Sequence, residues 1–298
     1  MTPPVPYFGE ILALCTALVW AFAVILFKKS GEHVHPIALN LFKNVLAAAL
    51  IIPTMWIVGD SLWLPLPKRE YLLLLISGAL GIGIADTLFF MSLNRLGAGL
   101  SAIADCLYSP SMISLSLIFL GERLTLWQVI GAAMIVLAVV GITLGKRAGH
   151  LSRAQLWAGI LWAFLAVFLM AASVILIKPI LSRSPLLWVT EWRLLGGIVV
   201  LLPILFLHRD WRGIALTATS VRHWGYMFSG SFVGAYVSMI LWLGSLKFAQ
   251  VSTASALHQS SNVFVFIFAF LLLREPIDLQ RVLAIVFAVA GAYLVMFG

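Results

Sequence analysis

The sequence predicts an all-α integral membrane protein with ten transmembrane helices, arranged as two inverted five-helix repeats. The composition supports this class, since 62% of the 298 residues are hydrophobic and only 10% are charged. A bilayer core about 30 Å thick needs about 20 apolar residues per helix. Such stretches follow one another along the chain with short polar breaks. A pattern that recurs in the second half of the chain predicts the two repeats.

The ten predicted helices leave few residues outside the membrane. In order they span Gly9–Phe27, Pro36–Val58, Tyr71–Leu93, Ala98–Leu120, Leu126–Leu144, Leu156–Ile177, Leu186–Leu207, Trp224–Leu246, Val251–Leu273 and Leu279–Phe297. No Lys or Arg precedes the first helix, and no small-residue cleavage pattern stands out after it. We therefore expect a retained helix and not a cleaved signal peptide.

Lysines and prolines mark several helix ends. Lys28 ends the first helix and Pro36 begins the second, and Lys178 and Pro185 mark the corresponding boundaries in the second half. The longest breaks lie at residues 60–70, 145–153 and 208–223. Lys and Arg are more frequent in the odd-numbered connections. This bias predicts that the odd connections are cytoplasmic and that both termini lie outside.

An internal repeat appears when the sequence is shifted by 153 residues. Matched pairs include Gly81 with Gly234, Leu88 with Leu241, Ser92 with Ser245, Glu122 with Glu275 and Val136 with Val289. Because five crossings is an odd number, the second copy enters the membrane upside down, and a pseudo-twofold axis in the membrane plane relates the halves. We predict two domains, residues 8–147 and 155–298.

Each half closes with a similar acidic hairpin. The first reads Gly121-Glu122-Arg123-Leu124-Thr125, followed by Gln128 and Gly131, and the second reads Arg274-Glu275-Pro276-Ile277, followed by Gly291. On these motifs the chain resembles the drug/metabolite transporter superfamily, specifically its EamA-type members. The resemblance implies a central cavity lined by the first four helices of each half, and export or exchange of small metabolites. We expect Glu122 and Glu275 to be structural, each near the N-terminus of the helix that follows it.

The resemblance has one informative departure. The related small multidrug resistance proteins keep a proton-binding glutamate in their first helix, where this chain has Leu14. That drug/proton antiport site is therefore absent. Any coupling must use other groups.

Two polar faces in the fourth and ninth helices are candidates for a substrate or proton site. Asp105, Tyr108 and Ser109 lie near one face of the fourth helix. The shift of 153 residues maps Asp105 to His258 and Ser109 to Asn262, and Gln259 lies beside them, so the two faces should meet across the pseudo-twofold axis. An acid opposite an imidazole can exchange protons or recognise the amine of a zwitterion. The alternative is a hydrogen bond between helices that only holds the bundle together.

Further charged residues lie inside predicted spans, where each needs a partner or a water-filled cavity. Asp86 is either a substrate ligand or the ion-pair partner of Lys43. Glu191 and Arg193 are two residues apart, so they lie on different faces and cannot simply neutralise each other. Arg193 is a candidate for bidentate binding of a carboxylate, with a structural salt bridge or snorkelling toward the helix end as the alternative.

Two aromatic residues complete the candidate set. Trp20 and Tyr236 lie deep in their predicted helices and could stack on a flat or apolar substrate. Packing or contact with lipid is the alternative role. Pro110 is expected to kink the fourth helix beside Asp105.

These features predict a secondary active transporter, an exporter or exchanger of small metabolites such as amino acids, working by alternating access. We expect a small-molecule substrate, membrane lipids and, as a coupling ion, protons. The chain has no phosphate-binding loop and no His-Glu-x-x-His motif, so no cofactor or metal is expected. The basic residues are spread over the connections, which does not favour a nucleic-acid partner. A lipid flippase of the same fold and, less favoured, an intramembrane enzyme are the alternatives.

The expected location is the inner (plasma) membrane of a bacterium. Small residues on the fifth helix, Gly131, Ala132 and Ala133, permit close contact with another helix and would allow a homodimer.

Overall fold

The computed structural model describes residues 6–120, 125–144, 151–219, 224–249 and 251–297, and every regular element among them is helical. The α-helices are α1 (Phe8–Ser30), α2 (Pro36–Val58), α3 (Lys68–Gly78), α4 (Asp86–Leu96), α5 (Ala98–Asp105), α6 (Tyr108–Leu120), α7 (Leu126–Leu144), α8 (Arg153–Leu181), α9 (Leu186–Leu207), α10 (Trp211–Thr217), α11 (Trp224–Ser231), α12 (Ser238–Phe248), α13 (Val251–Gln259), α14 (Ser261–Leu273) and α15 (Leu279–Phe297). The all-α membrane fold predicted from the sequence is therefore confirmed.

Seven helical stretches in the described part of the chain are long and apolar enough to cross a bilayer. They are Phe8–Ser30, Pro36–Val58, Lys68–Leu96, Arg153–Leu181, Leu186–Leu207, Trp224–Phe248 and Thr253–Leu273. The remaining predicted spans correspond to α5 with α6, to α7 and to α15, which are also helical. The number of ten crossings stays a prediction. The short helix α10, inside the break at 208–223, is an element that the sequence analysis did not anticipate.

Two π-helical segments interrupt the third and eighth predicted spans. Ala79–Ala85 joins α3 to α4, and Phe232–Val237 joins α11 to α12. Such segments are rare and often lie at functional sites. Close packing accompanies both: a Cβ on Gly81 would collide with the Ser173 hydroxyl, and a Cβ on Gly234 would lie 2.6 Å from the Phe27 ring. The missing side chains of these glycines therefore let neighbouring helices approach closely.

The fourth predicted span is broken and not merely kinked. α5 ends at Asp105 and α6 begins at Tyr108, so the break precedes Pro110. Proline lacks an N–H and its ring clashes with the carbonyl four residues earlier, here that of Cys106. That carbonyl accepts a bond from the Ser109 N–H instead, at 3.2 Å. The corresponding ninth span breaks at Ser260 without a proline, which the sequence analysis missed.

The hairpin glutamate of the second half caps a different helix from the one expected. The Glu275 carboxylate accepts bonds from the backbone N–H groups of Ala98 (2.8 Å) and Gly99 (3.0 Å), which begin α5. The left-handed backbone of Arg274 (φ 56°) ends α14 and precedes this glutamate. Glu275 has a structural role, as expected, but its carboxylate caps α5 and not α15, because the turn directs the carboxylate across to the first half of the chain. The first hairpin, including Glu122, lies outside the described residues.

The glycine proposed as a dimer contact is used within the chain. A Cβ on Gly131 of α7 would lie 2.5 Å from the carbonyl oxygen of Gly291 on α15, and the reverse contact is 2.6 Å. This face of α7 is therefore occupied by α15. The homodimer stays a prediction, and the small face at Gly131 no longer supports it.

Candidate functional site

A cavity of about 110 Å³ lies among the helices, deep within the predicted membrane-spanning part. Its lining comes from α1, α2, α4, α5 and α6 in the first half and from α8, α9, α12 and α13 in the second. These are the first four predicted spans of each half, as the resemblance implied. Both π-helical segments and the breaks in the fourth and ninth spans lie beside it. Irregular backbone at this depth is tolerated where it is buried in protein or lines a cavity.

Lys43 and Asp86 form a buried ion pair on the wall of the cavity. The Lys43 Nζ lies 2.6 Å from the Asp86 Oδ2 and also donates to the Asn44 Oδ1 at 2.9 Å. The Asn40 side chain donates to the carbonyl oxygens of Ile82 and Gly83 in the first π-helical segment, both at 2.9 Å. Asp86 thus sits at the end of a segment held in place by α2. Of the two roles considered for Asp86, the ion pair is present in the structure.

Arg193 lies on the same cavity without a carboxylate partner among the described residues. Its Nε donates to the Ser77 Oγ at 3.1 Å and its Nη2 donates to the Ser173 Oγ at 3.2 Å. The side chain is buried and does not extend toward the membrane surface. Neither the salt bridge nor the snorkelling considered from sequence is therefore present. The two serines were missed because isolated hydroxyls in apolar helices give no pattern.

The serine acceptors of Arg193 are held by the backbone. The Ser77 Oγ donates to the Ser173 carbonyl at 2.9 Å, and the Ser173 Oγ donates to the Met170 carbonyl at 2.8 Å. The guanidinium carries further N–H groups, arranged in a fork that matches a carboxylate. This arrangement fixes the cation while leaving donors for a ligand.

The two predicted polar faces meet. The Gln259 Nε2 donates to the Ser109 Oγ at 2.9 Å, and the Asn262 Nδ2 donates to the Gln259 Oε1 at 2.8 Å. The Asn262 side chain also lies beside the Asp105 carboxyl group. Ser109 and Asn262 are thus behind the cavity wall, where they position Gln259 and Asp105.

Asp105, Tyr108 and His258 line the cavity, but the acid and the imidazole do not contact each other directly. In the described structure no ion pair or hydrogen bond joins Asp105 to His258. The His258 ring packs against Trp242 with 4.4 Å between ring centroids, and its buried Nδ1 has no hydrogen-bond partner among the described residues. Proton exchange between these two groups, as considered from sequence, stays a prediction.

The remaining candidates separate into one lining residue and two that lie elsewhere. Trp20 lines the cavity. The Tyr236 hydroxyl lies 2.7 Å from the Thr54 Oγ1 and belongs to the packing of α2 against the second π-helical segment. Glu191 is completely buried but does not line the cavity.

The long apolar helices and the buried cavity between them define a polytopic membrane protein. The sequence matches the EamA-like transporter family twice, over residues 7–144 and 157–297, and the chain belongs to that family. It is therefore a multi-pass integral membrane transporter and not an enzyme, as predicted.

The similarity to known proteins covers nearly the whole length of this chain. An uncharacterized transporter of Archaeoglobus fulgidus is 25% identical over 286 residues, covering 96% of both chains. One of Methanothermobacter thermautotrophicus is 24% identical, covering 96% of this chain and 85% of its own. A solved crystal structure superposes with a TM-score of 0.69 at 19% identity, covering 96% of this chain and 95% of the other, which shows the shared fold.

Proposed function

We propose that this chain is a secondary active transporter that exports or exchanges small metabolites bearing a carboxylate, with amino acids as the best-fitting class. The observation that carries this proposal is the cavity-lining Arg193, whose guanidinium donates to two serine hydroxyls and has no carboxylate within ion-pair distance among the described residues. A buried cation within a membrane is costly unless it is paired. A substrate carboxylate would supply the missing partner.

Comparison with Lys43 supports Arg193 as the substrate-binding cation. The two residues occupy corresponding positions in the second and seventh predicted spans, 150 residues apart. Lys43 is already neutralised by Asp86 at 2.6 Å. An arginine also binds a carboxylate through two parallel hydrogen bonds, whereas a lysine acts as a point charge.

The other end of an amino acid would find an acidic partner in the same cavity. Asp105 lies on the wall, and Tyr108 is close enough to interact electrostatically with both Asp105 and Arg193. The ammonium group would face Asp105, and the side chain would lie against Trp20 or Trp242. The volume of about 110 Å³ is several times the roughly 10–15 Å³ of cavity that holds one water, which suits a small metabolite.

Transport would proceed by alternating access of the two predicted domains, 8–147 and 155–298, around this midplane site. Inverted repeats provide two related conformations that open to opposite sides. The π-helical segments and the broken spans beside the cavity supply positions where helices can bend. Energy would come from an ion gradient, with protons as the proposed ion, or from the gradient of an exchanged substrate.

Counterflow in proteoliposomes tests the proposal. Proteoliposomes that contain the purified protein would be loaded with each member of a panel of amino acids and nucleobases. Exchange of labelled substrate would be followed for wild type, Arg193→Met and Asp105→Asn. Arg193→Met should raise the half-saturation concentration of carboxylate substrates about tenfold to hundredfold, since a hydrogen bond to a charged group contributes roughly 1.5–3 kcal/mol. Asp105→Asn should impair zwitterions more than carboxylates that lack an amine.

Arg153→Met serves as the matched control, because Arg153 is an exposed cation at the start of α8. It should exchange substrate like the wild type. Equal exchange by wild type and Arg193→Met would refute the carboxylate assignment. No exchange of any panel member by folded wild-type protein would refute amino acids as the substrate class and favour lipid translocation.

A further inference from the structure

Glu191 of α9 carries a buried carboxyl group. The residue is completely inaccessible to solvent, and neither carboxylate oxygen has a hydrogen-bond partner within the part of the chain that the structure describes. It precedes Arg193 by two residues, so the two side chains leave the helix in different directions. Arg193 points to Ser77 and Ser173 at the cavity, whereas Glu191 does not line the cavity.

The surroundings of Glu191 along its helix face are apolar. Leu187 and Leu194 lie four residues before and three residues after it, on the same face of α9. Both belong to a buried apolar cluster that includes Ala48 and Ile51 of α2. In this environment neither oxygen of the Glu191 carboxyl group meets a hydrogen-bond donor among the described residues.

The charged groups on the elements packed against α9 are all engaged elsewhere or exposed. α9 packs against α2, α3, the first π-helical segment, α8, α10 and α12. Lys43 of α2 pairs with Asp86, Glu70 of α3 pairs with Arg183, and Arg212 of α10 lies over Trp211. Lys178 of α8 and Lys247 of α12 donate to the carbonyl oxygens of Leu246 and Ser184. Three further cations on these helices are exposed: Lys68 and Arg69 at the start of α3, and Arg153 at the start of α8. The phenol of Tyr71 bonds to the backbone of Leu64.

A carboxylate in such a place would be strongly destabilised, so the neutral acid is the stable form in this conformation. A transporter that alternates between conformations must expose different groups in each. When α9 moves, Glu191 can reach water and release its proton. We propose that Glu191 is the proton-carrying residue that couples this transporter to a pH gradient, at a position separate from the substrate cavity.

The inference rests on the proposed function, because coupling requires a transported substrate. The short spacing between Glu191 and Arg193 on one helix gives the physical link. A rearrangement of α9 that exposes the acid also moves the guanidinium that would hold the substrate carboxylate. Proton transfer and substrate release would then depend on the same motion.

Two transport assays on Glu191→Gln distinguish the coupling of transport to the pH gradient from the movement of substrate itself. Glutamine has the shape of the neutral acid and cannot carry the proton. The variant should therefore fold and support counterflow at wild-type rates, while accumulation driven by an imposed pH gradient is lost. Glu32→Gln is the matched control, since Glu32 is exposed, and it should keep the pH-driven accumulation. Glu191→Asp retains an acid and should keep coupling with a shifted pH dependence.

Wild-type counterflow tests the proposed function, and the response of the variants to the pH gradient tests Glu191. Accumulation by Glu191→Gln equal to wild type, or wild-type counterflow with no response to the pH gradient, would overturn the inference. Infrared difference spectra of wild type against Glu191→Gln in detergent test the protonation itself, whatever the transport result. A protonated carboxyl band present only in wild type at neutral pH supports the assignment, and a carboxylate band in its place overturns it.

Discussion

Lys43 and Asp86 form a buried ion pair, with 2.6 Å between the Lys43 Nζ and the Asp86 Oδ2. This pair makes the two corresponding cations of the cavity unequal, because Arg193 has no carboxylate partner in the described structure. The residue that corresponds to Asp86 in the second half is Met239, so the asymmetry is already visible in the sequence. One cation is thus paired with a carboxylate, whereas the other donates to the hydroxyls of Ser77 and Ser173.

The Lys43–Asp86 pair should behave as a structural unit in a double-mutant cycle. Lys43→Met or Asp86→Asn alone leaves an uncompensated buried charge, and breaking such a pair costs about 3–5 kcal/mol. The double variant removes both charges and should recover most of this loss. Thermal unfolding in detergent, monitored by size-exclusion chromatography, gives the unfolding temperatures of the three variants and of wild type.

Additive losses in that cycle would contradict the pairing, since independent sites show no coupling free energy. Lys29→Met offers a control, because Lys29 lies 3.7 Å from Glu32 in a partly exposed pair. Exposed pairs contribute about 0–1 kcal/mol, so this variant should unfold close to the wild-type temperature.

Helix bounds were predictable where apolar runs and terminal signals agree. α2, α7, α9 and α15 begin and end where the sequence analysis placed them. α2 shows why: Pro36 lies at its first position, where the missing N–H costs nothing, and the side chain of His35 accepts a bond from the Ile37 N–H. A long apolar run then continues to the glycine at position 59.

The interruptions within spans were less predictable because they depend on neighbouring helices. Gly81 and Gly83 are visible in the sequence, but the π-helical segment that contains them is also held by Asn40 from α2. Likewise, the cavity partners of Arg193 come from α3 and α8, far away in the chain. A polar residue in an apolar helix indicates that a partner exists, and only the packing shows which one.

The Glu275 cap should stabilise the contact between the two halves. Glu275→Gln replaces a charged acceptor of two backbone N–H groups at the start of α5 with a neutral amide. Hydrogen bonds with a charged acceptor are about twice as strong as neutral ones, and loss of a helix cap costs about 0.5–2 kcal/mol. We expect a lower unfolding temperature for this variant.

Glu32→Gln is the comparison for Glu275→Gln, because Glu32 is exposed and its carboxylate caps no helix in the described structure. An unfolding temperature for Glu275→Gln as high as that of Glu32→Gln would show that the cap contributes little. A second substitution, Gly97→Ala, disturbs the same cap from the other side. Gly97 has a φ of 83°, and an added Cβ would lie 2.8 Å from the Glu275 Oε1.

Gly81→Ala should weaken substrate binding without removing any charge. Its Cβ would collide with the Ser173 Oγ and lie 3.3 Å from the Arg193 Nη2, so the guanidinium must shift. Overpacking of this kind costs about 1–3 kcal/mol. Counterflow should show a higher half-saturation concentration for carboxylate substrates.

Gly141→Ala is the matched glycine control for Gly81→Ala, because an added Cβ at this exposed position of α7 meets no atom within 4 Å. It should leave exchange unchanged and should not lower the unfolding temperature, since alanine favours a helix more than glycine does. If Gly81→Ala exchanged substrate with wild-type affinity, the position of Arg193 in the free protein would not matter for binding.

Acid should loosen the contact between the connection at residues 31–35 and the segment around α10. His35 accepts the Ile37 N–H through its Nδ1, and its own backbone N–H donates to the Thr217 Oγ1 at 3.1 Å. The imidazole of His208 lies 6.2 Å away, centroid to centroid. Burial and then the charge of a protonated His208 lower the pKa of His35 from its ordinary value. A protonated His35 would also lose its Nδ1 as an acceptor.

The sign of this effect follows from proton binding in the folded and unfolded states. The unfolded chain protonates His35 near its ordinary pKa of about 6.5, before the folded protein does, so folding stability falls as the pH drops below that value. Above it, both states are neutral and His35 contributes no pH dependence. Unfolding temperatures of wild type should therefore fall from about pH 8 to about pH 5 more steeply than those of His35→Asn, which keeps a capping acceptor without a titrating ring. Equal slopes for wild type and His35→Asn would show that this contact is insensitive to pH.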